Sequence, residues 1–293
     1  MSSNNEPKLR MAPRETAEEL ARRVEREHRA VHLQRESTLE QSLAPFRVGS
    51  VRALNTVPLT RGLEDELIYA APSQLAEMLR REELDAALVS IVEPLLTGRY
   101  DILDGIGVAS LGEVRSVFLA HRRPLEEIRE VFLDTASLTS VQLLKVLLAE
   151  RGLSPEFKPL ASYDHSQLPD SVLLIGDNAL DLALGPHDHQ IWDLGQAWFE
   201  MTGLPFVYAA WSLRRGIENS NLRRQLREAR DFGLDTLENI IQTRTEYSAD
   251  FRKDYLGWHL HYHLGDDEKR GIRKFMECLR KLGNTVLEPC FVA

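Results

Sequence analysis

Cysteine is scarce in this chain: Cys278 and Cys290 are the only two among 293 residues. A disulfide scaffold is thereby excluded, and two late thiols suit a reducing compartment. Long apolar runs are missing too, with no stretch near the roughly 20 residues that a spanning helix needs. No apolar h-region follows the first charged residues, which argues against a secretory signal peptide. Positive charge is not in excess either. Lysine and arginine number 36 against 45 aspartates and glutamates, a formal net charge of −9, so nucleic acid is not an expected partner. The same balance repels an anionic ligand weakly at long range, and any anion site has to be built locally. A cytoplasmic protein without membrane contact is the expectation.

Several catalytic signatures are also absent. There is no Walker A sequence and no GxSxG, and Gly105-Ile106-Gly107 lacks the third glycine of a dinucleotide fingerprint. His259 and His263 would lie one turn apart on a helix, yet no HExxH glutamate or third ligand accompanies them in the sequence. They read as a helix-face pair. His187 and His189 flank Asp188 in a polar loop with no third partner, and neither cysteine has a thiolate-activating context. No metal site is expected.

What remains is an ordinary globular composition, 43% hydrophobic and 28% charged, long enough for two domains of about 150 residues. Residues 1–45 differ from the rest. Met1 to Pro13 is polar and aperiodic and is expected to be disordered. Glu15 to about Leu43 reads as a charged helix, with Thr16 and Glu19 spaced as a capping box. From Phe46 short apolar runs alternate with helical stretches. Strands are expected at Phe46–Val51, Leu67–Ala70, Asp85–Val89, Val114–Ala120, Val131–Leu133, Val172–Ile175 and Phe206–Trp211. Helices are expected at Ser73–Arg81, Thr139–Glu150 and Asp193–Thr202. After Arg214 the chain reads as helical throughout: Glu218–Arg230, Thr236–Ala249, Tyr255–Leu264 and Glu268–Leu282. Alternating strands and helices imply an α/β fold with largely parallel sheets. A helical tail returning to the first lobe would give lobe 1 as residues 46–116 plus 212–293 and lobe 2 as residues 117–211. A ligand would sit between the lobes, outside the carboxyl ends of the strands.

Four strand-end segments are more polar than plain loops require. Asn55, in Leu54-Asn55-Thr56-Val57-Pro58-Leu59, can donate and accept hydrogen bonds, although it would equally close a turn before Pro58. Ser116 interrupts the apolar Val114–Val117 stretch, and its hydroxyl needs a partner, which could be a neighbouring carbonyl. Ser137, Thr139 and Ser140 open a strongly apolar helix. One of these residues would serve as N-cap, whereas together with Thr135 they offer an anion site at the helix N-terminus. Gly176 and Asp177 end a strand where the backbone could approach a ligand closely, or simply turn. Motif logic alone stops at an anion-binding cleft.

Taken in order, these segments resemble the chorismate dehydratase family of the futalosine route to menaquinone. The resemblance is carried further by Trp192-Asp193-Leu194-Gly195-Gln196-Ala197-Trp198 and Thr202-Gly203-Leu204-Pro205-Phe206-Val207-Tyr208-Ala209-Ala210-Trp211. It covers about residues 47–214, follows the helical tail more loosely and largely omits residues 1–45. It implies a periplasmic-binding-protein-like (type II) two-lobe fold and a lyase that removes water from chorismate without metal or redox cofactor. It also implies catalytic roles for Asn55 and Ser116, with substrate contacts from Ser90, Val117, Ser137, Thr139, Ser140, Gly176 and Asp177. A homodimer is compatible with this reading. Three positions depart from the family pattern: Ala53 replaces a common aromatic, Leu88-Val89-Ser90-Ile91 lacks a Pro-Ser, and Asn178 replaces an alanine. The related 1,4-dihydroxy-6-naphthoate synthase would carry an SPCPND-like segment where this chain has Arg52–Leu59. A non-catalytic solute-binding or ligand-sensing protein is the rival from another class.

Overall fold

In a computed structural model of the chain, residues 43–293 are described, together with Arg22, residues 24–27 and Arg29. The latter six are helical; the remainder of the expected N-terminal disorder and helix lies outside the described residues. Leu43 is not helical. It is buried, and its N–H donates to Glu66 Oε2 at 2.6 Å.

Eleven strands among the described residues form two sheets. β1 (Val48–Ser50), β2 (Ile68–Tyr69), β3 (Ala86–Ser90), β4 (Tyr100–Ser110), β10 (Phe206–Arg214) and β11 (Phe291–Val292) make the first, ordered β11-β4-β10-β3-β1-β2. β5 (Val117–His121), β6 (Glu130–Leu133), β7 (Glu156–Pro159), β8 (Ser171–Ile175) and β9 (Gln190–Asp193) make the second, ordered β7-β6-β8-β5-β9. The principal helices are α1 (Pro72–Arg80), α2 (Leu138–Glu150), α3 (Gly176–Leu184), α4 (Leu194–Thr202), α5 (Ser220–Asp235) and α6 (Asp266–Lys281). The architecture is the two-lobe α/β fold expected from the alternation.

The sheets are mixed and not simply parallel. β1 runs parallel to β2 and β3, β11 to β4, and β6 to β7 and β8. Antiparallel pairing is confined to β10, between β3 and β4, and to β5, between β8 and β9. These are the strands that receive the chain as it crosses between sheets. The division of the chain differs from the sequence expectation at one end, because all of β10 pairs within the first sheet, with Ala210 opposite Val89 and Gly107. Its continuous burial, broken only at Ala209 and Arg214, is that of a central strand covered on both faces.

Several elements depart from their sequence pattern; the expected helix Thr236–Ala249, for one, ends at Thr243. β4 is the longest strand, yet Asp101, Asp104, Gly105 and Gly107 hide it, being residues that strands disfavour. Its irregularity falls there: the pairing with β10 shifts between Ala210 and Ser212, and Gly105 has φ +82°. The expected helix Tyr255–Leu264 is instead one wide turn, closed by Leu260 N–H donating to Tyr255 O at 3.1 Å. Beyond it the chain is extended, with His261 bridging to Ala109 of β4.

The residues of the Asp193–Trp211 signature build the join between the lobes. The Asp193 carboxylate caps α4 by accepting Gln196 N–H at 2.9 Å. A Cβ on Gly195 would stand 2.5 Å from Gly112 O and 2.6 Å from the Tyr208 hydroxyl, so glycine alone permits that approach. Gly203 ends α4 in the left-handed conformation, φ +68°. Trp198 donates Nε1–H to Pro205 O at 3.2 Å and meets Phe206 and Phe275 edge-to-face, at centroid distances of 5.2 and 5.9 Å. No helix among the described residues is long and apolar enough to cross a membrane.

Candidate active site

A cavity of about 520 Å³ opens between the carboxyl ends of the two sets of strands, within the roughly 300–1,000 Å³ usual for small-molecule sites. Eight of the nine site residues expected from the sequence line it. Asn55, on a short 3₁₀ turn after β1, and Ser90, at the end of β3, come from the first lobe. Ser116 and Val117 lie where the chain enters β5. Ser137 and Ser140 open α2, and Gly176 and Asp177 open α3. Gly176 N–H donates to Ser116 O at 2.8 Å, which locks two of these segments together.

Thr139 is the exception. It is fully buried outside the cavity lining, its Oγ1 accepts Val92 N–H at 3.3 Å, and its own N–H donates to Ser90 Oγ at 3.4 Å. Its side chain ties the start of α2 to the turn after β3 and does not face the cavity. Ser137 is the N-cap, accepting Ser140 N–H at 3.4 Å and Ser140 Oγ–H at 3.2 Å, with Ser90 Oγ 3.3 Å away. The N-terminus of a 13-residue helix, ringed by hydroxyls, thus faces the cavity and favours negative charge.

Other lining residues were not found from the sequence. Arg52 is the single cationic side chain lining the cavity among the described residues, and its guanidinium lies 4.6 Å over the Tyr69 ring. Asp134 is fully buried. Its Oδ1 accepts Ala136 N–H at 3.0 Å and the Tyr163 hydroxyl at 2.8 Å, while its Oδ2 has no protein partner among the described residues. Burial pushes the Asp134 carboxyl above its ordinary pKa, outweighing those donors. The Asp177 carboxyl, although solvent-exposed at the start of α3, is raised as well, first by desolvation against the cavity wall and then by the charges of Asp181 and Glu246, with Arg244 opposing. Two carboxyls held toward the neutral form can donate to an anion where ionised ones would repel it.

Behind the lining sits Tyr255, buried, whose hydroxyl donates to Ser116 Oγ at 2.8 Å. Asn55 Oδ1 is buried without a protein partner among the described residues. Ser116 has one further contact, to Val114 O at 3.5 Å. The only sequence signal for Tyr255 was a tyrosine in a segment read as a helix.

The histidines pair differently from the helical reading. His259 Nδ1 lies 2.9 Å from Glu113 O, whereas His261 and His263 meet Glu268, at 3.0 and 3.5 Å. Because residues 260–264 are extended, the neighbours two apart converge, and Glu268 supplies the third group that the sequence spacing did not show. Glu268 also accepts Gly265 N–H at 2.8 Å as the capping residue of α6.

Two lobes with a cavity between their strand ends, lined by hydroxyls and a helix N-terminus, define the periplasmic-binding-protein-like class. The fold resembles that of protein AF1704 from Archaeoglobus fulgidus, with a TM-score of 0.64, 18% identity and coverage of 81% of this chain and 97% of that one. It also resembles the periplasmic aliphatic sulphonate binding protein SsuA from Escherichia coli, with a TM-score of 0.54, 14% identity and coverage of 85% and 93%.

The chain belongs to the menaquinone biosynthesis family, whose sequence profile matches residues 46–281. Among its relatives, the chorismate dehydratase of Thermus thermophilus is 34% identical over 269 residues, covering 81% of this chain and 96% of that protein. The chorismate dehydratase of Campylobacter jejuni is 28% identical over 233 residues, covering 78% and 91%.

Proposed function

We propose that the protein is a chorismate dehydratase, a hydro-lyase that converts chorismate into 3-(1-carboxyvinyloxy)benzoate and water in the futalosine route to menaquinone. The observation that carries this reading is the convergence of Asn55, Ser116 and the start of α2 on one cavity in a chain of this family.

In the elimination, a ring C–H bond and the ring C–OH bond break, the ring becomes aromatic, and proton and hydroxyl leave as water. Aromatisation drives the step, and the substrate's own enolpyruvyl carboxylate takes the proton. The protein's work is then orientation and electrostatic preorganisation. Asn55 and Ser116 hold the reacting part of chorismate, including its departing hydroxyl. The hydroxyls of Ser137 and Ser140, with the dipole of α2, hold a carboxylate. Asp177, wherever its raised carboxyl is protonated, adds a donor from the other helix start, and Val117, Gly176 and Ser90 shape the walls.

The test is purified protein mixed with chorismate in chelator-treated buffer, followed by chromatography. Enzyme-dependent appearance of the enolpyruvyl benzoate supports the lyase without an added metal or nicotinamide. Chorismate that binds and persists would make the protein a binder or sensor, and chorismate that does not bind would remove the substrate assignment.

A further inference from the structure

We infer that Tyr255 is a positioning residue of this site: hydrogen-bonded to Ser116, its phenol sets the direction of the Ser116 hydroxyl, so that the serine hydrogen is presented to whatever oxygen occupies the cavity. The kinetic part of the inference rests on the dehydratase reading; the hydrogen-bond part does not.

The direction follows from counting hydrogens. Tyr255 donates its one hydrogen to Ser116 Oγ at 2.8 Å. Having accepted that bond, Ser116 keeps its own hydrogen for another partner. Among the described residues that partner is Val114 O at 3.5 Å, the outer limit of a hydrogen bond. A ligand oxygen at ordinary distance competes easily with so long a contact. A chain of donors therefore runs from the phenol to the serine and ends at the cavity, where one bond polarises the next.

Tyr255 is suited to this task and does not line the cavity. Its side chain is buried at 1% exposure and its ring stacks on Phe251 at 5.5 Å with an interplanar angle of 18°. Its backbone opens the wide turn Tyr255–His259, a rare geometry that recurs at functional sites. Burial pushes the phenol far above its usual pKa, so the donor stays protonated across the physiological range.

Tyr255→Phe keeps the ring and its stacking and removes only the hydroxyl. Expected is a fall in kcat of about tenfold, the scale of one well-placed hydrogen bond, with KM for chorismate within about twofold and the melting temperature nearly unchanged. In the Ser116→Ala background the same substitution should add less than about twofold, because its effect passes through the serine. Wild-type kcat in Tyr255→Phe, or a loss that multiplies in full on Ser116→Ala, overturns the proposal. Proton NMR separates it from the dehydratase reading and does not depend on Tyr255→Phe folding. An exchange-protected Tyr255 hydroxyl resonance should be present in the wild type and shifted or lost in Ser116→Ala. Its absence from the wild type, or its indifference to Ser116→Ala, defeats the positioning role even if chorismate is turned over. If the resonance behaves as expected and the wild type leaves chorismate untouched, the dehydratase reading fails and the Tyr255 arrangement stands.

Discussion

The carboxylate of Asp193 accepts the backbone N–H of Arg115 at 2.7 Å. It also accepts Val114 N–H at 3.1 Å and, on its own helix, Gln196 N–H at 2.9 Å. Arg115 needs such a hold, because it is a non-glycine residue at φ +65°. One acid of the signature therefore fixes the crossover that delivers Ser116 to the cavity. In Asp193→Asn the amide NH₂ must face at least one of these donors. Loss of about 1–3 kcal/mol of stability is expected, the usual cost of a stranded buried donor, together with a lowered kcat. Urea unfolding monitored by tryptophan fluorescence checks the first part; an unchanged midpoint would remove Asp193 from this role.

Ser116→Ala and Asn55→Ala should each lower kcat by at least part of the roughly 10²–10³-fold that a well-placed donor contributes where charge develops. Stopped assays on chorismate give the number. Near-wild-type turnover in both variants would strip the two residues of their catalytic assignment.

The start of α2 offers a contrast between neighbours. Ser137→Ala removes a hydroxyl that lines the cavity and is expected to raise KM several-fold. Thr139→Val removes one that accepts Val92 N–H, and should lower stability by about 1–2 kcal/mol with KM little changed. Paired kinetic and thermal measurements decide; equal KM effects in the two would contradict the placement of Thr139 outside the cavity.

The raised carboxyl of Asp177 predicts a pH dependence of binding. Its protonated form persists above the ordinary aspartate value of about 4. As pH rises through the raised pKa, a donor is lost and a negative charge appears beside the anion. KM for chorismate should therefore increase several-fold as pH rises from the ordinary aspartate value through that raised pKa. Asp177→Asn keeps a donor that cannot ionise and should flatten that rise; a wild-type slope retained in the variant would exclude Asp177 as its source.

The site was more legible in the sequence than the sheets around it. Asn55, Ser116, Ser137, Ser140 and Asp177 stand at strand ends or helix starts, where local chemistry exposes them, and all five reach one cavity. Tyr255 was invisible because its meaning is tertiary: it meets Ser116 across 139 positions of chain, from a turn whose composition mimics a helix. Asp134 stands in the polar segment that opens α2, but its burial, which favours the neutral form, is a tertiary fact that the sequence does not carry. β4 was missed because its glycines and aspartates serve a bulge and a contact with α6, where Asp104 pairs with Lys269 at 2.7 Å. Thr139 shows the opposite error, for adjacency along a helix start does not make two hydroxyls point the same way.

A cavity that offers a helix N-terminus, hydroxyls and a single guanidinium exerts little pull on an anion until that anion is already seated. Cells are crowded with nucleotides and sugar phosphates, and a cluster of lysines would collect them indiscriminately. Neutral donors of fixed direction act only over hydrogen-bond range. Competing metabolites are then turned away by shape at the threshold, and capture should vary little with ionic strength.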